Sequence, residues 1–184
     1  KQKVRNTFNV AIAEYGTEDN FIEVCSTSKI TYPGSGVAAL AASDANIAAV
    51  KKRMTVQTIG YDKLNEKRHA AFFVDKAGIE RHMLRHAEIL RPKFDSVLSA
   101  FDKHLAGKGI AAWTKPNGGY FISLDVYPGC AKRTVQLCKE AGVTLTGAGA
   151  TYPYGKDPED KNIRIAPTFP SRDELCKAVE ILCL

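Results

Sequence analysis

Apolar positions along the 184 residues follow two spacings, and the change from one to the other sets the expected layout. Lys1 to Tyr15 reads as a helix or the end of one. Short apolar runs follow: Phe21 to Cys25 reads as a buried strand and Val37 to Ala42 as a second strand. Ser43-Asp44 supplies an N-cap, so a helix is expected through about Arg53. Gln57 to Gly60 reads as a loop and Asp62 to Phe73 as a helix. Asp75-Lys76-Ala77-Gly78 breaks the pattern. Met83, Ala87, Leu90, Phe94, Val97, Leu98 and Phe101 then recur near a 3.6-residue period, predicting a long amphipathic helix from about Ile79 to Leu105. Pro92 falls inside it and predicts a kink or break near Arg91.

Gly107-Lys108-Gly109 ends that helix. Ala111 to Lys115 and Gly119 to Asp125 flank Pro116-Asn117-Gly118, which reads as a hairpin turn. A helix is expected from about Cys130 to Ala141, stopped by Gly142. Val143 to Thr146 reads as a short strand, Gly147 to Asp160 as a Gly/Pro/Tyr-rich loop, and Ile163 to Ala166 as a strand. Ser171-Arg172-Asp173-Glu174 resembles a capping box and opens a last helix. There are no internal repeats. The composition is that of a globular protein, 45% hydrophobic and 25% charged. A domain boundary is expected near Asp75, with residues 1–75 α/β in character and 76–184 carrying the long helix, a hairpin and further β/α pieces.

Charge and cysteines narrow the chemistry. The formal net charge is +6, but the basic residues alternate with acidic ones, as in Asp62 to Arg68, which is the pattern of a solvated helix face. Nucleic acid is not the expected partner. A positive field also suits an anionic cofactor and carboxylate substrates. The five cysteines are odd in number and show no CxxC spacing, which points to neither a disulfide framework nor a zinc site. His82 and His86 are four apart, without a third ligand, so no metal is expected. No apolar run approaches the length of a membrane span, and the cytoplasm is the expected location.

One segment carries candidate chemistry. Ser26-Thr27-Ser28-Lys29-Ile30-Thr31-Tyr32-Pro33-Gly34 follows an apolar strand directly. Open α/β sheets place ligands at such strand ends. A lysine shielded there from water is able to act as a nucleophile, and neighbouring serines are able to bind a phosphate. Pyridoxal phosphate needs that pair of features, because a lysine holds its aldehyde as a Schiff base. The plain alternative is a surface lysine among turn serines that bond their own backbone.

Ser-x-Ser-Lys with x-x-x-Pro-Gly after it resembles the lysine segment of the fold type I pyridoxal phosphate aminotransferases. Gly118-Gly119-Tyr120-Phe121 resembles that family's small-domain Gly-Gly-x-Phe strand. Asn162-Ile163-Arg164-Ile165-Ala166 resembles its substrate-carboxylate segment. The subgroup is the class I, MocR-like or aspartate/alanine–glyoxylate type, and the resemblance covers nearly the whole chain. It implies the C-terminal part of a large cofactor domain followed by an α+β small domain, in a homodimer. It implies an aminotransferase that moves an amino group from an amino acid to a 2-oxo acid. Lys29 is then the catalytic, cofactor-bearing lysine, Ser26 and Ser28 lie at the cofactor phosphate, and Arg164 holds the substrate α-carboxylate in bidentate fashion. The resemblance also brings in Thr58 as a phosphate contact across a dimer interface, and Tyr152 and Tyr154 as pocket residues.

Two departures stand out. Relatives carry a phosphate-binding arginine seven or eight residues after the lysine; here those positions are Gly36 and Val37. The family's Asp-x-x-Tyr segment, whose aspartate pairs with the pyridine nitrogen, has no match ahead of Lys29. The chain is therefore expected to be the C-terminal part of a longer enzyme and to be inactive alone. A second reading is an aminotransferase-like effector-sensing domain of a transcription regulator, although no DNA-binding domain is present in the chain. Gly34-Ser35-Gly36-Val37-Ala38-Ala39 also fits a dinucleotide fingerprint, but Pro33 precedes it and Lys51-Lys52-Arg53 stands where an acidic residue is needed.

Overall fold

A computed structural model describes residues 7–32 and 34–184. The first six residues of the expected N-terminal helix, and Pro33 of the lysine segment, lie outside the described residues. The chain divides into two compact units, Lys1–Leu84 and Arg85–Leu184. Their boundary falls inside one long helix.

In the first unit, α1 (Thr7–Tyr15) precedes β1 (Ile22–Ser26) and β2 (Ala38–Ala42). The two strands pair antiparallel, Ile22 against Ala42 and Ser26 against Ala38. The sequence predicts a buried strand at Phe21 to Cys25, yet β1 is exposed at all five positions. The reason is that the sheet has only these two strands, and no described layer covers either face. The Ser43 hydroxyl accepts from Asn46 N and caps α2 (Asp44–Gln57). This helix runs four residues past the expected end because neither Gly nor Pro interrupts it; extended Thr58 stops it. Asp62 caps α3 (Lys63–Phe73) through its bond to Asn65 N.

The joint after α3 shows why Gly78 was misread as a breaker. Asp75 N donates to Phe73 O at 2.7 Å, closing a three-residue turn around Val74 at φ 66°. Gly78 N donates to Asp75 Oδ1, so α4 (Lys76–His104) starts before the glycine. A Cβ on Gly78 would lie 1.8 Å from Phe73 O, so only glycine fits inside that first turn. Of the kink or break expected near Arg91, the break is not seen: α4 continues as one element across Pro92. Proline there forfeits one backbone hydrogen bond at a cost of about 3 kcal/mol. The burial of Val97 and Phe101 in the next turns offsets it.

The second unit is built on a three-stranded antiparallel sheet in the order β3-β4-β5, from β3 (Ala111–Trp113), β4 (Ile122–Val126) and β5 (Asn162–Ile165). Trp113 faces Leu124, and Leu124 faces Ile163. The inward positions Ile122, Leu124, Ile163 and Ile165 pack with Val97 and Phe101 of α4, Leu105 just after it, Ala131 of α5 (Ala131–Glu140), and Leu175 and Val179 of α6 (Arg172–Leu182). The predicted capping box is present: Ser171 Oγ accepts from Glu174 N, and Ser171 N donates to the Glu174 carboxylate. The Ser171 hydroxyl bond and that backbone bond hold the Glu174 carboxyl below its usual range.

Two sequence expectations fail in this unit. Residues 114–121 form an open loop, not a tight turn at Pro116-Asn117-Gly118, because the ladder ends where Thr114 N donates to Ser123 O. Val143 to Thr146 is not a strand. Val143 N is taken by Cys138 O at the end of α5, and the segment joins no sheet. Ahead of β5, Asp157 organises the loop: its carboxylate accepts from Glu159 N at 3.0 Å, and from Lys161 N and Asn162 N at 2.8 Å each. Partial desolvation works to raise its pKa, but the three backbone N–H groups and the Lys161 charge together hold it below the usual value.

Two tests follow from these loops. Val74 is 81% exposed, so Val74→Gly loses little burial while removing a backbone strain of about 1–3 kcal/mol. After the entropy of the added glycine is subtracted, a net gain of about 1 kcal/mol is expected in urea denaturation. Val74→Ala keeps the strain, and an equal gain there would refute it. For Asp157, a lowered folded pKa means its stabilising contribution is complete above the ordinary value of 3.8 and is lost as pH falls below it. Asp157→Asn is expected to lower Tm at pH 7, with the gap to wild type closing in strong acid. A gap that stayed constant from pH 7 to pH 2.5 would refute the role.

Candidate active site

The first cluster lies where β1 ends. Thr27 N donates to Val37 O and Val37 N donates to Thr27 Oγ1, both at 2.8 Å, closing the ribbon. The chain then coils once: Thr27 O accepts from Ile30 N at 2.8 Å and from Thr31 N at 3.0 Å. Ser28 and Lys29 sit on the outer side of this coil and are exposed, while Thr27, Ile30 and Thr31 are half-buried on its inner side. The sequence reading expected Lys29 to be shielded from water. The turn instead directs it outward, because the threonines take the inner positions.

The Ser26 and Ser28 hydroxyls are 2.6 Å apart, and Ser28 N donates to Ser26 Oγ at 3.1 Å. The serines thus do make the local turn bonds of the plain alternative, and they also present two hydroxyls at one point beside Lys29. Gly36 packs against them: a Cβ there would lie 3.1 Å from Ser28 Oγ and 3.3 Å from its backbone. Where relatives are expected to carry arginine, this position leaves a small cradle over Ser28. Two hydroxyls and a small cradle next to a lysine in the chain are a set that fits a phosphorylated aldehyde.

Arg164 belongs to the second unit. Its neighbours Ile163 and Ile165 are buried, so strand alternation turns Arg164 to the opposite face, across from Ser123. Its guanidinium lies over the Phe121 ring, 4.5 Å from the centroid. Its Nε is buried and has no hydrogen-bond partner. Phe121 belongs to the Gly118–Phe121 segment that resembles the family's small-domain strand. Asn162, two residues before it, is buried and donates to Ser123 Oγ at 2.8 Å and Asp125 Oδ1 at 2.7 Å, bracing the same face.

The remaining expected residues are engaged locally or exposed. The Thr58 hydroxyl bonds the backbone of Gly60 at the end of α2. Gly118 and Gly119 have nothing within 4 Å of an added Cβ, so they admit no close backbone approach in this chain; Gly119 is needed for its φ of 89°. Tyr152 is half-buried, and Tyr154 is exposed with φ 59°. Among the described residues, no group of three His, Cys, Asp or Glu side chains is placed to hold a metal ion. No helix there is long and apolar enough to cross a membrane.

Sequence reasoning missed two side chains at the lysine turn. His69 of α3 is buried and reaches Thr31 Oγ1 at 2.8 Å through Nε2. His82 of α4 donates through Nε2 to Ile30 O at 2.7 Å. His82 had been read only as half of a possible metal pair, and no spacing in the sequence links either histidine to residues 27–31.

Known proteins give the family. A sequence profile described as aspartate amino-transferase matches residues 2–184. A Mycolicibacterium smegmatis protein assigned to the aminotransferases is 51% identical over 168 residues, which is 91% of this chain and 39% of that protein. The aspartate aminotransferase of Corynebacterium glutamicum is 46% identical over 165 residues, 90% of this chain and 38% of its own. The crystal structure of a Corynebacterium diphtheriae protein, also assigned to the aminotransferases, superimposes with a TM-score of 0.90 at 47% identity, covering 97% of this chain and 44% of that one. The chain thus spans about two fifths of the length of these relatives. Both parts of the expected fold, the end of a large α/β domain and an α+β small domain, agree with that match. The profile runs through the lysine turn and the arginine strand alike, and the chain belongs to the aspartate aminotransferase family.

Proposed function

We propose that the protein carrying this chain is a pyridoxal phosphate-dependent aminotransferase that moves an amino group from an amino acid to a 2-oxo acid. The observation that carries the reading is Arg164: a buried guanidinium nitrogen without a partner, braced over Phe121 on a strand whose register the core fixes. A buried unpaired donor costs about 1–3 kcal/mol, and a carboxylate removes that cost. A planar fork of donors suits the two oxygens of an α-carboxylate.

The Ser26 and Ser28 hydroxyls would hold the cofactor phosphate beside the cradle left by Gly36. When bound, pyridoxal phosphate supplies an aldehyde and an electron-withdrawing ring. Lys29 Nζ would hold that aldehyde and would serve as the base toward the proton on the substrate α-carbon. Arg164 fixes the carboxylate and so decides which α-carbon bond is presented. Residues 1–75 are read as the end of the cofactor domain and 76–184 as the small domain. A cytoplasmic homodimer and amino acid and 2-oxo acid substrates follow from the same family reading. The regulator reading is less favoured, because the more similar relatives, at 46–51% identity, are named as aminotransferases.

Two experiments test this. Incubation of the intact protein with pyridoxal phosphate, then borohydride reduction and peptide mapping, is expected to place the label on Lys29. A label elsewhere, or none, would sink the assignment. Arg164→Lys loses the bidentate geometry and is expected to weaken amino acid binding by about 2–3 kcal/mol, roughly 30- to 150-fold, with cofactor affinity unchanged. Equal losses of cofactor and substrate binding would make the arginine a structural residue.

A further inference from the structure

The turn that carries Lys29 is held almost entirely from its inner side. Thr27 and Thr31, four residues apart, both face His69 Nε2, at 3.4 Å and 2.8 Å. On the far side of the ring, Nδ1 lies 2.9 Å from Asn65 O in the preceding turn of α3. A carbonyl only accepts, so Nδ1 carries a proton and donates to it, which leaves Nε2 to meet the Thr31 hydroxyl. Asn65 is itself tied forward: its Nδ2 donates to Ser35 O at 2.8 Å, on the strand-side return of the same loop. His82 Nε2 meets a carbonyl, Ile30 O, and therefore donates to it.

The two histidines thus grip adjacent points on either side of the Lys29 peptide's neighbour: one the side chain of Thr31, the other the carbonyl of Ile30. Aromatic edges fix both rings. Tyr32 stands edge-on to His69 at 5.2 Å, and Phe72 and Phe73 stand edge-on to His82 at 5.3 Å and 5.6 Å. Packing alone does not hold the turn. A cavity of about 280 Å³, lined by Thr27, Ile30, Val37, His69 and Phe73, lies directly behind it. With room behind it, the turn is located by its hydrogen bonds.

We propose that His69 and His82 are positioning residues for Lys29, clamping the 27–31 turn so that the amine is presented at the Ser26–Ser28 hydroxyl pair. This rests on Lys29 being the cofactor-bearing lysine. Neither histidine touches the hydroxyl pair; both act through the turn. Loss of either clamp lets the turn settle into the cavity and misplaces the amine.

The test is the rate at which Lys29 of the intact apoprotein takes up pyridoxal phosphate at saturating cofactor. The amine condenses with the aldehyde, water leaves, borohydride delivers hydride to trap the bond, and the Lys29 peptide is weighed. His69→Asn keeps a donor for Asn65 O but removes the partner for Thr31. His82→Asn withdraws the donor from Ile30 O, whereas His82→Gln keeps a donor at a similar reach. Misplacement by about 1 Å costs on the order of a hundredfold, so a tenfold to hundredfold slower trapping is expected in both Asn variants. His82→Gln is expected to recover most of the rate, which a loss of general stability would not predict. Thr31→Val removes that bond from the other end, together with the Thr31 hydroxyl bond to Thr27 Oγ1, and serves if His69→Asn fails to fold. Combined with His69→Asn, it is expected to be no slower than Thr31→Val alone. Wild-type rates in His69→Asn or Thr31→Val together with His82→Asn, or no recovery in His82→Gln, would overturn the proposal while leaving Lys29 in its role. Wild-type label on another residue would remove the Lys29 reading itself, and the proposal with it.

Discussion

The candidate chemistry of the first unit depends on a turn anchored to its surroundings through the hydrogen bonds of its inner side. Thr27 closes the ribbon through Val37, accepts the two amides that coil the chain, and meets His69 with Thr31. Because those residues occupy the inner positions, Ser28 and Lys29 are left outside. A β-branched residue at an inner site is stiff and keeps its hydroxyl directed. The outer side needs freedom for a ligand, and small serines and a flexible lysine provide it. Gly36 completes the arrangement by letting the returning strand approach Ser28 without filling the space above it.

The second unit solves the same problem by alternation. Ile163 and Ile165 are driven into the core, and the period of two then leaves Arg164 on the other face. Asp157 and Asn162 hold the approach to that strand with side-chain bonds to backbone and sheet, so the position of Arg164 is set from before it as well as from beneath. The buried, unpartnered Nε is a local cost that the fold tolerates. Such costs persist where a ligand group completes the bonding.

Apolar exposure is concentrated in the first unit. Val24, Val56, Ile59 and Leu64 are all more than two-thirds exposed, and among the described residues no layer covers the β1–β2 ribbon. Relatives are more than twice as long as the region matched here. The exposed ribbon is the reason a strand read as buried from its composition turns out to face water.

Periodicity and capping in the sequence determined the elements with a single strong signal: the long helix around Val97 and Phe101, the Ser171 capping box and the Ile163–Ile165 strand; the lysine and arginine segments were legible as a family resemblance. Those signals are local, since each arises from residues within a turn or two of one another. Non-local contacts escaped it. Gly78 looked like a breaker because the carbonyl that forbids a side chain there, Phe73 O, is seen only when the joint is folded. Val143 to Thr146 looked like a strand because nothing in its composition says that Cys138 will take its first amide. His69 and His82 stand 38 and 52 residues from the turn atoms they hold, and only the tertiary fold brings them there. The sequence thus marked which residues are the candidates for the chemistry. The tertiary structure decided what holds them, because a hydrogen bond between distant segments leaves no trace in residue spacing.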